Sequence, residues 1–224
     1  MINSTINFPK TTGIVLIIMA TIAGVGYGFF FSELFVVGDE SVTAANVKML
    51  PNHVPMFLLS FTIIFLLDFV VAWALYYLFK RVNSPISKLM MVLRILYTIF
   101  LGLSLVLILD IISLFQDIKT QDNVIYQALE SFLQIWSWGL IIFGVHLMIL
   151  AYLMSISALF PIYLQILTGF AGFCYTVHHT LDVVWANYSL YSANVNNILA
   201  LPMAMGELAL ALWLIIYHKK FTNE

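Results

Sequence analysis

Four ionisable side chains, Asp68, Arg94, His146 and Glu207, each lie inside a separate apolar run long enough to span a membrane. A charge at the centre of a bilayer costs at least ~2.5–3.5 kcal/mol on insertion scales, so such groups turn inward and find partners. Two carboxylates, a guanidinium and an imidazole are the parts of a proton relay, of an ion or small-ligand site, or of a set of acid–base groups. They are equally the parts of a buried ion-pair network that only fixes helix register. These residue types admit both readings.

A second group, His178, His179 and Asp182, sits further along the chain. His178 and Asp182 are four apart and share a helical face, while His179 is turned away by about 100°. Two ligands at that spacing could hold zinc if other helices supplied one or two more. Asp110 and Glu130 are the candidate contributors, but no HExxH or similar second motif is present. The simpler reading is a local His–Asp pair at a wet helix end. A polar strip of Gln127, Glu130 and Gln134 near Trp136 and Trp138 suits an outward vestibule, or a helix entry lying among lipid headgroups. His146 and His178 fall toward opposite membrane faces, so a haem held by that pair is not expected. No cofactor is expected.

The elements that must position these residues follow from composition. Of 224 residues, 62% are apolar and 9% charged, and mean hydropathy is +1.01. Soluble domains carry ~25% charged residues, so this chain cannot build an aqueous surface. Continuous apolar runs, not short alternating ones, exclude a β-barrel. Six segments approach the ~20 residues a bilayer requires: 13–31, 56–79, 89–115, 133–154, 160–185 and 198–217. Breaks fall at Gly38-Asp39-Glu40, 80–85, 117–123, Pro161 and 187–197. The first run is too long for the apolar region of a cleaved signal, and reads as an uncleaved span.

With the N-terminus inside, Lys10, Lys80, Arg81, Lys88, Lys219 and Lys220 fall on the cytoplasmic side, against Lys48 and Lys119 outside. The positive-inside bias therefore places both termini in the cytoplasm. Trp185, Tyr188 and Tyr191 suit the outer aromatic belt. Residues 41–46 suggest a short surface helix capped by Ser41. Ala20, Gly24 and Gly28 form a small-residue row of the kind that lets helices approach in lipid. Arg94, Thr98 and Gly102 share a face, as do Ala200, Ala204, Glu207 and Ala211. Glu207 is then about 15 Å from the inner end of its helix, His146 about 12 Å and Arg94 about 8 Å, with Asp68 roughly midway. All four fit one cluster in the inner half of the bundle.

The landmarks, taken in order, resemble an uncharacterised bacterial membrane family, domain of unknown function 4386. They are Val37-Gly38-Asp39 with Thr43 to Asn46; Leu67-Asp68 followed by 72–76; Arg94; Gly139 to His146 with Tyr152; and Leu201-Pro202 with Gly206-Glu207 through Trp213. The resemblance covers nearly the whole chain. Family members often place a proline before the glycine of the first loop, where this chain has Val37. The resemblance implies a multi-spanning bacterial membrane protein and no particular activity.

The reading is therefore an all-α protein, a polytopic integral membrane bundle of six transmembrane helices forming one domain over 1–224. It sits in the cytoplasmic membrane with lipid as its solvent. The expected function is handling of a small ligand or protons through Asp68, Arg94, His146 and Glu207. The alternatives are an intramembrane metal-dependent enzyme acting on lipid through His178 and Asp182, and a structural or partner-binding protein. No nucleic-acid partner is expected, because Lys and Arg never cluster beyond a pair. The lone Cys174 excludes an intramolecular disulfide.

Overall fold

A computed structural model describes residues 8–114 and 122–221, side chains at 110–114, 186, 189, 190, 193, 196 and 197 excepted. Among the described residues there is no strand, and seven helices carry the fold. They are α1 (Phe8–Leu34), α2 (Glu40–Met49), α3 (His53–Phe79), α4 (Ser84–Leu114), α5 (Asp122–Ser155), α6 (Ile162–Val184) and α7 (Ser189–Ile216). Short 3-10 turns at Ala186–Tyr188 and His218–Phe221 flank α7.

Five helical segments are long and apolar enough to cross a membrane: Phe8–Leu34, His53–Phe79, Ser84–Leu109, Asp122–Ser155 and Ile198–Ile216. The remaining expected span, 160–185, is the 23-residue α6. At ~1.5 Å per residue it has the length to cross. It is less apolar because it carries Gln165, His178, His179 and Asp182. Composition thus marks five crossings, and α6 packs between α5 and α7. The break at 117–123, Lys119 with it, lies largely outside the described residues.

Helix ends are set locally. Asn83 accepts the Ile86 N–H through its side-chain oxygen at 3.1 Å. Pro85 then sits in the first turn of α4, where its missing N–H removes no helical bond. The cap of α2 differs from the expectation. Asp39, not Ser41, has the extended backbone of an N-cap and accepts the Val42 N–H at 3.0 Å. Ser41 instead donates to Asp39 Oδ1 at 2.9 Å. Gly38 precedes it at φ +77°, a conformation that side chains disfavour.

Packing relies on small residues, but not on the expected row. A methyl group on Gly24 or Gly28 would meet nothing within 4 Å, so that row does not mediate contact within the chain. The close approaches include Gly13 with the Ala211 carbonyl oxygen at 2.5 Å, Gly144 with Gly172, where an added Cβ on Gly144 would stand 2.6 Å from the Gly172 carbonyl oxygen, and Gly206 with Ala171 at 2.5 Å. Gly144 faces Thr176, Gly172 faces Met148 and Gly169 faces Ala151, so α5 and α6 run antiparallel. Of the face shared by Glu207, Ala211 is buried whereas Ala200 and Ala204 are exposed. Burial singles out α5 as the hub, with 61% of its most apolar stretch covered against 22% in α1.

The half of the core away from Arg94 is aromatic. Phe31, Phe57, Phe61, Phe132 and Trp136 knit α1, α3 and α5 together with ring centroids such as 4.5 Å for Phe57–Phe61 and 5.3 Å for Phe61–Trp136. The exterior is apolar too, with Leu59, Ile166 and Leu201 more than half exposed. Such a surface needs lipid as solvent. α5 continues without a break from Asp122, so Gln127, Glu130 and Gln134 belong to the same helix as the expected span 133–154.

Candidate functional site

Asp68 comes from α3, Arg94 from α4, His146 from α5 and Glu207 from α7, and the bundle brings all four together. Arg94 is the centre. Its Nε and Nη2 both donate to Asp68 Oδ1, at 2.9 and 2.7 Å. Its Nη1 donates to Glu207 Oε1 at 2.6 Å and faces His146 Nε2 at 3.4 Å. His146 Nδ1 lies 2.9 Å from the Met90 carbonyl oxygen. A carbonyl only accepts, so Nδ1 carries the proton, and Nε2 offers its lone pair to a guanidinium that only donates. These bonds hold His146 as the neutral imidazole.

The burial is uneven. Asp68 and His146 are fully buried and Arg94 is 1% exposed, whereas the Glu207 side chain keeps 25% of its surface. Phe143 floors the site, stacked on His146 at 5.7 Å with the Arg94 guanidinium 5.4 Å from its ring. Thr98 returns its hydroxyl to the Arg94 carbonyl at 2.8 Å. One turn beyond Thr98 on the same face, away from Arg94, Gly102 admits Phe65 closely. One atom is left over. Asp68 Oδ2 is buried and has no hydrogen-bond partner, an arrangement that costs about 1–3 kcal/mol or more for a charged oxygen.

The outer group is assembled differently from the expectation. Ser137 of α5 donates to Asp182 Oδ2 at 2.8 Å and meets His179 Nδ1 at 3.2 Å. His178 turns away to the Tyr188 hydroxyl at 2.8 Å. The pair that shares a partner is therefore His179 with Asp182, three residues apart, and not His178 with Asp182. Glu130 accepts from Tyr126 at 3.4 Å, and Tyr126 in turn accepts the Gly38 N–H at 3.0 Å. The side chain of Asp110 lies outside the described residues. Among the described residues no three His, Cys, Asp or Glu side chains gather as metal ligands.

Ser137, Tyr188, Phe143 and the Met90 carbonyl were not legible as site components. Ser137 is 42 and 45 positions from its two partners, so no local spacing connects them. Tyr27 is a further case. A π-helical turn at Gly26–Phe31 interrupts α1, and π turns occur often at functional sites. It seats Tyr27 against Trp136 at 5.3 Å and within electrostatic range of Asp182.

These features define a helical membrane protein built around a buried, four-helix charge cluster. The chain belongs to the family described as domain of unknown function (DUF4386), which matches residues 11–217. An uncharacterized protein of Archaeoglobus fulgidus is 29% identical over 161 residues, covering 72% of this chain and 83% of that relative. No solved structure matches.

Proposed function

We propose that the protein handles protons, or a small cationic ligand, at the Asp68–Arg94–Glu207 cluster within a bacterial cytoplasmic membrane. The observation that carries this reading is the imbalance of the site. Two carboxylates share one guanidinium while His146 stays neutral, which leaves one negative charge in excess and the Asp68 Oδ2 oxygen unpartnered. In an apolar interior such a charge calls for a proton or a cation. Glu207, partly accessible, is the exchanging group. Asp68, sealed against two Arg94 nitrogens, is the fixed counter-ion. Both termini face the cytoplasm in this reading, which the excess of Lys and Arg in the inner segments supports.

The test is proton flux in proteoliposomes under an imposed pH gradient. Wild-type protein should dissipate the gradient, and Glu207→Gln should abolish that activity while remaining folded. A folded Glu207→Gln protein with undiminished flux, or wild-type vesicles that hold the gradient indefinitely, would sink the reading. A structural role is the rival, favoured by the complete pairing of Arg94 and the burial of Asp68. Under it, Asp68→Asn and Glu207→Gln change only thermal stability.

A further inference from the structure

Tyr175 stands between the two polar groups, with Tyr97 against the same Phe143 ring. Tyr175 lies one turn below His179 on α6, with the two rings stacked 6.0 Å apart at 16°. Its edge meets Phe143 at 5.2 Å, the same ring that floors the Arg94 site. The α6–α7 register is fixed by the contact of Gly206 with Ala171 and by Thr168 donating to the Gly206 carbonyl at 3.5 Å. Glu207 therefore stands between one and two turns below Tyr175 along the helix axes, a rise of roughly 8–10 Å. The Tyr175 ring is within electrostatic range of both Glu207 and Arg94.

We propose that Asp182, Ser137, His179 and Tyr175 form a proton path between the outer face and Glu207. The proposal rests on the proton-handling reading above and adds its side of access. Every member both gives and takes a proton, as a relay requires. Ser137 has one hydroxyl proton and gives it to Asp182, so His179 Nδ1 is the donor to Ser137 Oγ and Nε2 is left as acceptor. In this arrangement a proton leaving Glu207 passes by water to the Tyr175 hydroxyl and by water again to His179 Nε2, since the hydroxyl makes no direct hydrogen bond to either group. The Nδ1 proton moves to Ser137 Oγ as Ser137 gives its own to Asp182, which releases it at the exposed end. No group gains or loses more than one proton, and rotation of the hydroxyls and the imidazole tautomer resets the chain.

Among the described residues these groups face the path, with Tyr97 beside Tyr175. Glu207 meets Arg94 and, further off, Asp68 and Tyr175. His179 meets Ser137, His178 and Tyr175. Asp182 meets Ser137 and is within range of Tyr27, His178 and Tyr188. The low hydropathy of α6 follows from this column, since His178, His179 and Asp182 lie on its outer turns.

The experiment follows the infrared carboxyl band of protonated Glu207, identified by its loss in Glu207→Gln, in oriented proteoliposomes after a pH jump on one side. A jump on the Asp182 side should change the wild-type band, and Tyr175→Phe or His179→Phe should slow that change by about tenfold or more. The final band amplitude should stay the same in both variants, and Tyr175→Phe removes a single oxygen, so folding is preserved. Unchanged rates in both variants, or a faster response to a jump on the other side, would overturn the path alone. A wild-type protein with no Glu207-dependent band at any pH would overturn the proton-handling reading and the path with it.

Discussion

The inner cluster and the outer group are both polar islands in an apolar bundle, yet they are built by opposite rules. The inner one concentrates formal charge: a guanidinium bridges two carboxylates, walled off by Phe143 and the four helices that supply the parts. The outer one is stitched from hydroxyls and imidazoles, with Ser137 between His179 and Asp182, and Tyr188 on His178. Depth explains the contrast. Far from water, a lone charge is untenable and must be matched by another charge. An exposed carboxylate such as Asp182 keeps some solvent, and a hydroxyl partner suffices. The two also differ in what they leave open: the inner site has an orphan oxygen on Asp68, and the outer site has its exposed end.

That comparison breaks most readily at its centre. Arg94→Met strands two buried carboxylates, and unfolding in detergent should show a loss of about 3–5 kcal/mol. Asp68→Asn should follow with several kcal/mol, whereas Glu207→Gln, one quarter exposed, should cost only about 1 kcal/mol because solvent screens the change. Equal losses at Asp68 and Glu207 would contradict the asymmetry of burial. Adding a methyl group at the α5–α6 contact comes next. Gly144→Ala pushes into Gly172 and Thr176 and should cost about 1–3 kcal/mol by overpacking, read as a lowered midpoint in the same unfolding series.

The outer group should respond more weakly. Ser137→Ala removes a hydroxyl shared by His179 and Asp182, and a loss of about 1 kcal/mol is expected; a loss as large as that of Arg94→Met would erase the distinction between the two islands. The smallest effect lies outside the membrane, at the cap of α2. The Val42 N–H and Ser41 hydroxyl beside Asp39 hold its carboxyl below the ordinary value of 3.8. A depressed folded value means that the cap's contribution is whole above the unfolded value and is lost as pH falls through the folded one. The protection of the amides in the first turn of α2, their intrinsic exchange rate relative to the observed rate at the same pH, should therefore fall only on acidification through that range. A loss of protection already at neutral pH would count against the cap.

Much of the architecture was legible because lipid is a demanding solvent. Long apolar runs with polar breaks can only be helices when no water is present to satisfy the backbone. The same logic marked Asp68, Arg94, His146 and Glu207 as inward-facing before their partners were known. Other features were read less well. The 160–185 segment counted as an ordinary span by its length, although its polar outer turns set it apart. The Ala20–Gly24–Gly28 row had the right spacing but no neighbour, since spacing shows which residues share a face and not which helix that face meets. Ser41 was an eligible cap, yet Asp39 took the position because its backbone is the one that turns extended.

By itself the sequence determined the class of protein and the four groups that could not face lipid, because each follows from transfer energies of single residues or short windows; it placed the starts of α5 and α7 about ten residues too late. The tertiary structure decided which partners they take. That Arg94 gives two nitrogens to Asp68 and one to Glu207, that His146 is pinned to the Met90 carbonyl, and that Ser137 joins His179 to Asp182 depend on helix register and rotation. Those are fixed by contacts such as Gly144 on Gly172 and Gly206 on Ala171, between residues far apart in the chain, whose pairing no local pattern encodes.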